Sequence, residues 1–328
     1  MSAARGIVFA ALAAAFALSA VVCDKELYLV SREEAIPPDA VKMTPASDTW
    51  PPKLHSDEWE DPIPMPGPVN TAGAEDSPFI TPDGNWFFFF FTPDVRVPVN
   101  EQLLDGCTGI WWSKREGDSW TEPERVVLND DVSLDGAQFV FGDTMWFASV
   151  RAKGTVREGP QYFVATLRNG EWGNWRNAGT QLNVDYRIGE MHITSDHKTM
   201  YCHRDSAAGG YGKYDLWSLE RGATGWGTPV NLGPVVNSAK TEGWPWVSSD
   251  KQELWFTGDS DSFPGPALYR CKKDSTGNWT APEPIVSEFA GESTMDDEGN
   301  LYFVHHYYAT GSRMIEADIY FCRRKKER

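Results

Sequence analysis

Residues 241–287 constrain the fold more than any other stretch. They read TEGWPWVSSDKQELWFTGDSDSFPGPALYRCKKDSTGNWTAPEPIVS. Glu242 and Gly243 open a short apolar run at 244–247, and a polar turn follows at 248–252. A second run, 253–257, alternates apolar and polar positions, and a Gly/Asp/Pro loop leads to a third run at 267–271. A charged turn then leads to Trp279 and a fourth extended segment. Period-two alternation broken by turn residues predicts a four-stranded antiparallel meander in about 50 residues.

The unit recurs. Second strands are predicted at Trp86-Phe87-Phe88, Met145-Trp146-Phe147, Met200-Tyr201-Cys202, Leu254-Trp255-Phe256 and Leu301-Tyr302-Phe303. Third strands are predicted at Ile110-Trp111-Trp112, Gln161-Tyr162-Phe163, Asp215-Leu216-Trp217, Ala267-Leu268-Tyr269 and Asp318-Ile319-Tyr320. Fourth strands begin near Trp120, Trp175, Trp226 and Trp279. The fifth copy runs out after Cys322, but Trp59-Glu60-Asp61-Pro62 through Asn70 matches Trp226-Gly227-Thr228-Pro229 through Asn237. The fold expected is all-β: a single five-bladed β-propeller of four-stranded blades, its ring closed by an N-terminal strand, which leaves no open edge. The chain carries 15 Trp, 17 Phe and 11 Tyr, enough large aromatics to pack between blades. The expected boundaries are a signal peptide at 1–22, a Pro-rich tether at 24–58, the propeller at 59–322 and a basic tail at 323–328.

The formal net charge of −17 disfavours nucleic acid and anionic membrane surfaces as partners. Arg5 followed by an apolar run at 7–22 reads as an export signal. Cys23 directly after it makes a lipid anchor one outcome and simple cleavage the other. The expected location is therefore outside the cytoplasm: periplasmic, cell-surface or extracellular. Cys107, Cys202, Cys271 and Cys322 fit no zinc spacing, so buried free thiols are expected, with a disulfide open in an exported chain. Asn278-Trp279-Thr280 is a glycosylation sequon.

The starts of the five inner strands each carry one carboxylate: Glu75, Asp135, Glu190, Glu242 and Glu292. Each stands first or third in its strand, and these positions share a face in a regular strand. In a propeller they crowd one mouth of the channel, joined by Arg151, His203, Arg204, Asp205, Asp259, His305 and His306 from the ends of second strands and the loops that follow. A ligand site is expected there. Close carboxylates can split their pKa values into an acid and a base. The bland alternative is that each acid braces its own strand start. Glu242 and Glu292 are the candidate catalytic pair, because Trp244 and Trp246 stand near enough to stack a sugar; inter-blade packing is the competing role for both Trp. Glu75, Asp135, Glu190, Arg151, His192, Arg204, Trp244 and His305 are candidate ligand contacts. His192 lies two residues after Glu190, a weak metal signal, and His305 and His306 point to opposite faces of a strand. No metal and no cofactor are expected.

These residues resemble the WD40-like (PD40) β-propeller repeat of exported proteins such as TolB. The resemblance rests on Phe79-Ile80-Thr81-Pro82-Asp83-Gly84-Asn85-Trp86, Gly212-Lys213-Tyr214-Asp215-Leu216-Trp217, Trp226-Gly227-Thr228-Pro229 and Glu253-Leu254-Trp255-Phe256. It covers about 59–322 and implies an exported binding or scaffold propeller, with no catalytic residue assigned. TolB-like proteins have six blades, against five repeats here. The function expected is a binding module recognising a glycan, peptide or envelope protein at the central funnel, as a monomer. The alternative is a glycoside hydrolase or lyase using the inner-strand acids.

Overall fold

The computed structural model describes residues 29–102, 105–128, 133–151, 153–205, 209–309 and 313–326. The expected signal at 1–22 and the anchor residue Cys23 lie outside them. Two compact units divide the chain. One comprises Met1–Thr49, Pro64–Asn183 and His306–Ile319; the other comprises Trp50–Ile63, Val184–His305 and Tyr320–Arg328.

The first unit holds two antiparallel meanders. One runs Ala74–Ile80, Trp86–Thr92, Gly109–Glu116 and Glu124–Arg125; the next runs Asp135–Phe141, Thr144–Ser149, Gln161–Arg168 and Glu171–Asn177. The second unit repeats the plan in Met191–Ile193, Thr199–Asp205, Tyr214–Gly222 and Val230–Asn231, then in Glu242–Val247, Glu253–Gly258, Ala267–Lys272 and Glu283–Ser287. A fifth copy has Ala290–Met295, Leu301–Ala309 and Arg313–Cys322. The strands fall where alternation places them.

Three of the turns between first and second strands share one chemistry. Thr81 donates its hydroxyl to Asp83 at 2.6 Å, and Thr194–Asp196 and Ser248–Asp250 repeat that bond at 2.7 and 2.6 Å. A Ser/Thr hydroxyl and an Asp two residues on satisfy the turn locally, which is why these residue types punctuate the strands.

Aromatic contacts join neighbouring meanders inside each unit. Phe79 meets Phe139 edge-on at 5.5 Å, Trp112 meets Trp172 at 6.1 Å, and Tyr201 meets Trp279 at 6.1 Å. Edge-to-face geometry at these separations adds to the gain from area burial.

Residues 59–70 run along the last strand. In the second unit Trp59 bridges Arg324, and the Glu60 N–H donates to the Arg323 carbonyl at 2.9 Å. In the first unit the Met65 N–H donates to the Ile319 carbonyl at 2.8 Å.

The segment expected to be a tether is packed where it is described. Ser31 caps a one-turn helix, Arg32–Ala35, with Glu34 closing the capping box. Arg32 is 2 % exposed; its guanidinium donates to the Val69 carbonyl at 2.7 Å, meets Glu75 at 3.3 Å, and lies 5.3–5.5 Å from the rings of Phe89, Phe91 and Trp111. Lys42 pairs with Glu316 and Asp318. In the second unit, Lys53–Leu54 adds a fifth strand beside Glu283–Ser287. Proline and charge in 29–58 suggested an extended spacer. Two cations in sequence-remote acidic holes override that composition. Arg324 likewise leaves the expected solvated tail to pair with Glu58 at 2.7 Å and to stack over Trp59.

Candidate functional site

The inner strands are not regular. A register shift follows the second position in four of them: between Asp76 and Phe79, Gly136 and Phe139, Gly243 and Trp246, and Gly291 and Thr294. The third-position residue sits in the left-handed region each time, with φ of 49° at Ser77, 52° at Ala137, 54° at Trp244 and 52° at Glu292. Left-handed backbone is costly for residues with a Cβ, above all for bulky ones, and bulges re-aim side chains. The expectation that first- and third-position acids share a face therefore fails. The bulge interrupts the alternation on which it was built.

The first-position acids brace their own strand starts. Glu75 is buried; it accepts the Thr71 N–H at 3.0 Å and the Thr71 hydroxyl at 2.6 Å. Burial pushes its pKa up to about 7, against the pull of Arg32. Glu242 repeats the arrangement on Ser238, with the N–H at 3.0 Å and the hydroxyl at 2.5 Å, and burial raises it too. Asp135 is buried against Arg151 at 2.6 Å, and that guanidinium lies 4.5 Å from the Trp175 ring. Glu242 is thus a structural brace, a role at odds with its place in the expected catalytic pair. Its signal was present in the sequence: Asn70-Thr71 precedes Glu75 as Asn237-Ser238 precedes Glu242, at equal spacing.

The third-position residues of the second unit behave differently. Trp244 is half-buried, and its indole Nε1 donates to Glu190 Oε1 at 3.0 Å. Its backbone N–H donates to His203 Nδ1 at 3.2 Å, and its ring lies 5.2 Å from His203 and 6.4 Å from Tyr214. His203 is 2 % exposed, and burial pushes its pKa down to about 3, so the ring is a neutral acceptor at physiological pH. A Cβ on Gly189 would stand 2.1 Å from His203 Nε2, so only glycine admits the imidazole there. Glu292, also half-buried, donates its backbone N–H to the Thr257 hydroxyl at 2.8 Å. Thr257 and His203 thus do the same work in neighbouring meanders, each holding the bulge of the next. Sequence reasoning missed His203 and Tyr214 as partners of Trp244.

The other expected site residues are scattered in role. His192 packs edge-on against Trp246 at 5.7 Å, and burial lowers its pKa to about 3. Trp246 is therefore a packing residue. Arg204 donates Nε to the Tyr186 carbonyl at 2.7 Å and lies 4.8 Å from the Trp217 ring. His305 is fully buried, edge-on to Tyr320 at 5.3 Å, whereas His306 is half-buried and lies 3.4 Å from Asp76. Among the described residues no three His, Cys, Asp or Glu side chains are grouped to hold a metal, and none of their helices is long and apolar enough to cross a membrane.

No family model matches the chain, and no curated protein matches it in sequence. Solved structures do. BT0996, solved as an RGII complex, superposes with a TM-score of 0.51 at 11% identity, over 82% of this chain and 92% of its own. The fold is a β-propeller. The endo-arabinase from Bacteroides thetaiotaomicron matches at a TM-score of 0.49 and 13% identity, over 80% and 97% of the two chains. A GH62 hydrolase in complex with xylotriose matches at 0.47 and 8%, over 79% and 94%. At these identities the likeness of the propeller is one of fold.

Proposed function

We propose that this β-propeller engages a glycan on the inner-strand surface of its second unit, with Trp244 as the stacking platform and Glu190 as its polar neighbour. One observation carries the reading. A half-exposed tryptophan is held in left-handed backbone and pinned by Glu190, His203 and Tyr214. A rigid aromatic face beside a carboxylate suits a sugar ring, which offers C–H groups to the one and hydroxyls to the other. The RGII complex among the propeller-fold neighbours is consistent with a glycan.

Hydrolysis at the same surface is the second reading. Glu190 and Glu292 both stand third at their strand starts and are half-buried, whereas Glu75, Asp135 and Glu242 are buried braces. The pair for acid and base is then Glu190 and Glu292, in place of Glu242 and Glu292.

A glycan panel presented to the full-length protein tests both readings. Saturable binding that falls at least roughly tenfold in Trp244→Ala supports recognition. Release of reducing ends, lost in Glu190→Gln or Glu292→Gln, supports hydrolysis. Binding to no glycan, or binding indifferent to Trp244→Ala, sinks the first reading.

Five blades, export and an anchor at Cys23 complete the proposal. Asn70 bonds both backbone groups of Ile319, as Asn183 does those of Tyr162 and Asn237 those of Leu216, which supports the repeat assignment and fits residues 59–70 as the fourth strand of the last repeat. The matching pieces of the WD40-like repeat support an exported propeller in the same way. Metabolic labelling with a fatty acid in wild type and Cys23→Ala separates lipidation from simple cleavage.

A further inference from the structure

The first unit contains a cavity of about 340 Å³. Its walls come from residues 37–43, from Ala72 and Gly73, from the loop 93–96, and from Ala309, Arg313 and Ile315. That volume lies in the range of small-ligand sites.

The lining carries two acids and two arginines and is net neutral, but only three of these charges pair with one another. Arg96 is neutralised: it donates to both Asp39 oxygens at 2.8 and 3.0 Å, and its Nε reaches Asp94 at 2.8 Å. Arg313 is exposed, and its side chain makes no hydrogen bond or ion pair among the described residues. The Arg313 guanidinium is therefore the one lining charge without a side-chain partner among the described residues. Beside it stand two large apolar side chains left open, Val41 at 77% exposure and Ile315 at 38%. The wall that carries Val41 is held in place, because the next residue, Lys42, pairs with Glu316 and Asp318.

We propose that this cavity binds a small organic carboxylate, with the carboxylate on Arg313 and the carbon skeleton on Val41 and Ile315. A guanidinium presents its donors in a planar fork that matches two carboxylate oxygens, and apolar walls select a ligand with an apolar flank over a bare inorganic anion. The ligand is either the uronate end of a glycan or a free organic acid. The site does not depend on the Trp244 surface, so it stands or falls apart from the glycan reading.

Titration calorimetry of the full-length protein with D-glucuronate, D-glucose and isovalerate tests the proposal. Saturable binding of glucuronate or isovalerate is expected at roughly millimolar Kd, with none for glucose. Glucuronate alone identifies a glycan terminus, isovalerate alone a free acid, and binding of both a site that reads any carboxylate with an apolar flank. Arg313→Ala and Val41→Asp each weaken that binding at least tenfold. Both residues are exposed, so an unchanged Tm confirms that the variants fold. Failure of both carboxylates to saturate, equal binding of glucose, or indifference to Arg313→Ala overturns the proposal.

Discussion

Asn237 holds Leu216 by both of its backbone groups: Oδ1 accepts the Leu216 N–H at 2.8 Å, and Nδ2 donates to the Leu216 carbonyl at 3.0 Å. Asn183 grips Tyr162 in the same way at 2.7 and 3.0 Å, and Asn70 grips Ile319 at 3.1 and 2.8 Å. In each case the asparagine pairs a third-strand N–H and adds a second donor to a carbonyl that also accepts a backbone N–H, from Leu232 at 3.1 Å, Ala178 at 2.9 Å and Met65 at 2.8 Å respectively. A side-chain amide is the one group that offers a donor and an acceptor together at this spacing.

Asn237→Ala should therefore leave the buried Leu216 N–H unpaired, while the Leu216 carbonyl keeps the Leu232 N–H at 3.1 Å. The expected cost is about 1–3 kcal/mol. Asn237→Asp keeps the acceptor and loses the donor, so it should fall between. Urea unfolding measures both, and a loss below about 0.5 kcal/mol for Asn237→Ala would remove the clasp from the account.

Arg270 is 2 % exposed and surrounded by acids: Glu58, Glu283 at 2.7 Å and Glu253 at 3.3 Å. Its guanidinium also lies 5.4 Å from the rings of Trp59 and Trp255. Arg270→Ala strands three carboxylates around a cavity, and a loss of about 3–5 kcal/mol is expected. The bond to Arg270 holds Glu58 down at about 2. Its folded pKa lies below its unfolded value, so its contribution is present above about 4.5 and is lost as the pH falls towards 2. Solvent screening at its open edge reduces that contribution to about 1–2 kcal/mol. In Glu58→Gln the acid limb of the stability curve between pH 4.5 and 2 should flatten; an unchanged limb would assign acid sensitivity to other groups.

The repeat was legible because its signals are local. Alternation, Ser/Thr-x-Asp turns and the tryptophans that open fourth strands each act within a few residues. The site was less legible for two physical reasons. A bulge is a backbone event, and Gly243-Trp244-Pro245 carries no unambiguous mark of one. The roles of Glu75 and Glu242 also depend on a hydroxyl four residues earlier, whose meaning appears only when both bonds are seen. Arg32 and Lys42 were read as spacer residues because nothing near them in sequence is acidic enough to predict Glu75, Glu316 or Asp318 as partners.

Cys107, Cys202, Cys271 and Cys322 are all free and buried. Burial pushes each thiol up to about 12. At pH 8 the thiolate fraction is then about one in ten thousand, too small for useful reactivity. Iodoacetamide should leave all four unmodified in the native protein and alkylate them in urea, as read by intact mass. Native labelling of any one would show that its strand opens.

Glu316 gives the opposite pH dependence to Glu58. It is buried, and desolvation lifts its pKa to about 7 in spite of Lys42 beside it. Glu75 stands at about 7 for the same reason. Their folded values lie above the unfolded one, so the folded state holds protons that the unfolded state releases. The contribution of each is then fully present below about 4.5 and is lost as the pH rises through 7. Resistance to urea should fall between pH 5 and pH 8, and Glu316→Gln, which cannot ionise, should show a shallower slope over that window. Salt should change the slope little, because buried charges are weakly screened. Equal slopes in wild type and Glu316→Gln would mean that Lys42 holds Glu316 ionised throughout, so that the strap at residues 37–43 rests on a permanent ion pair.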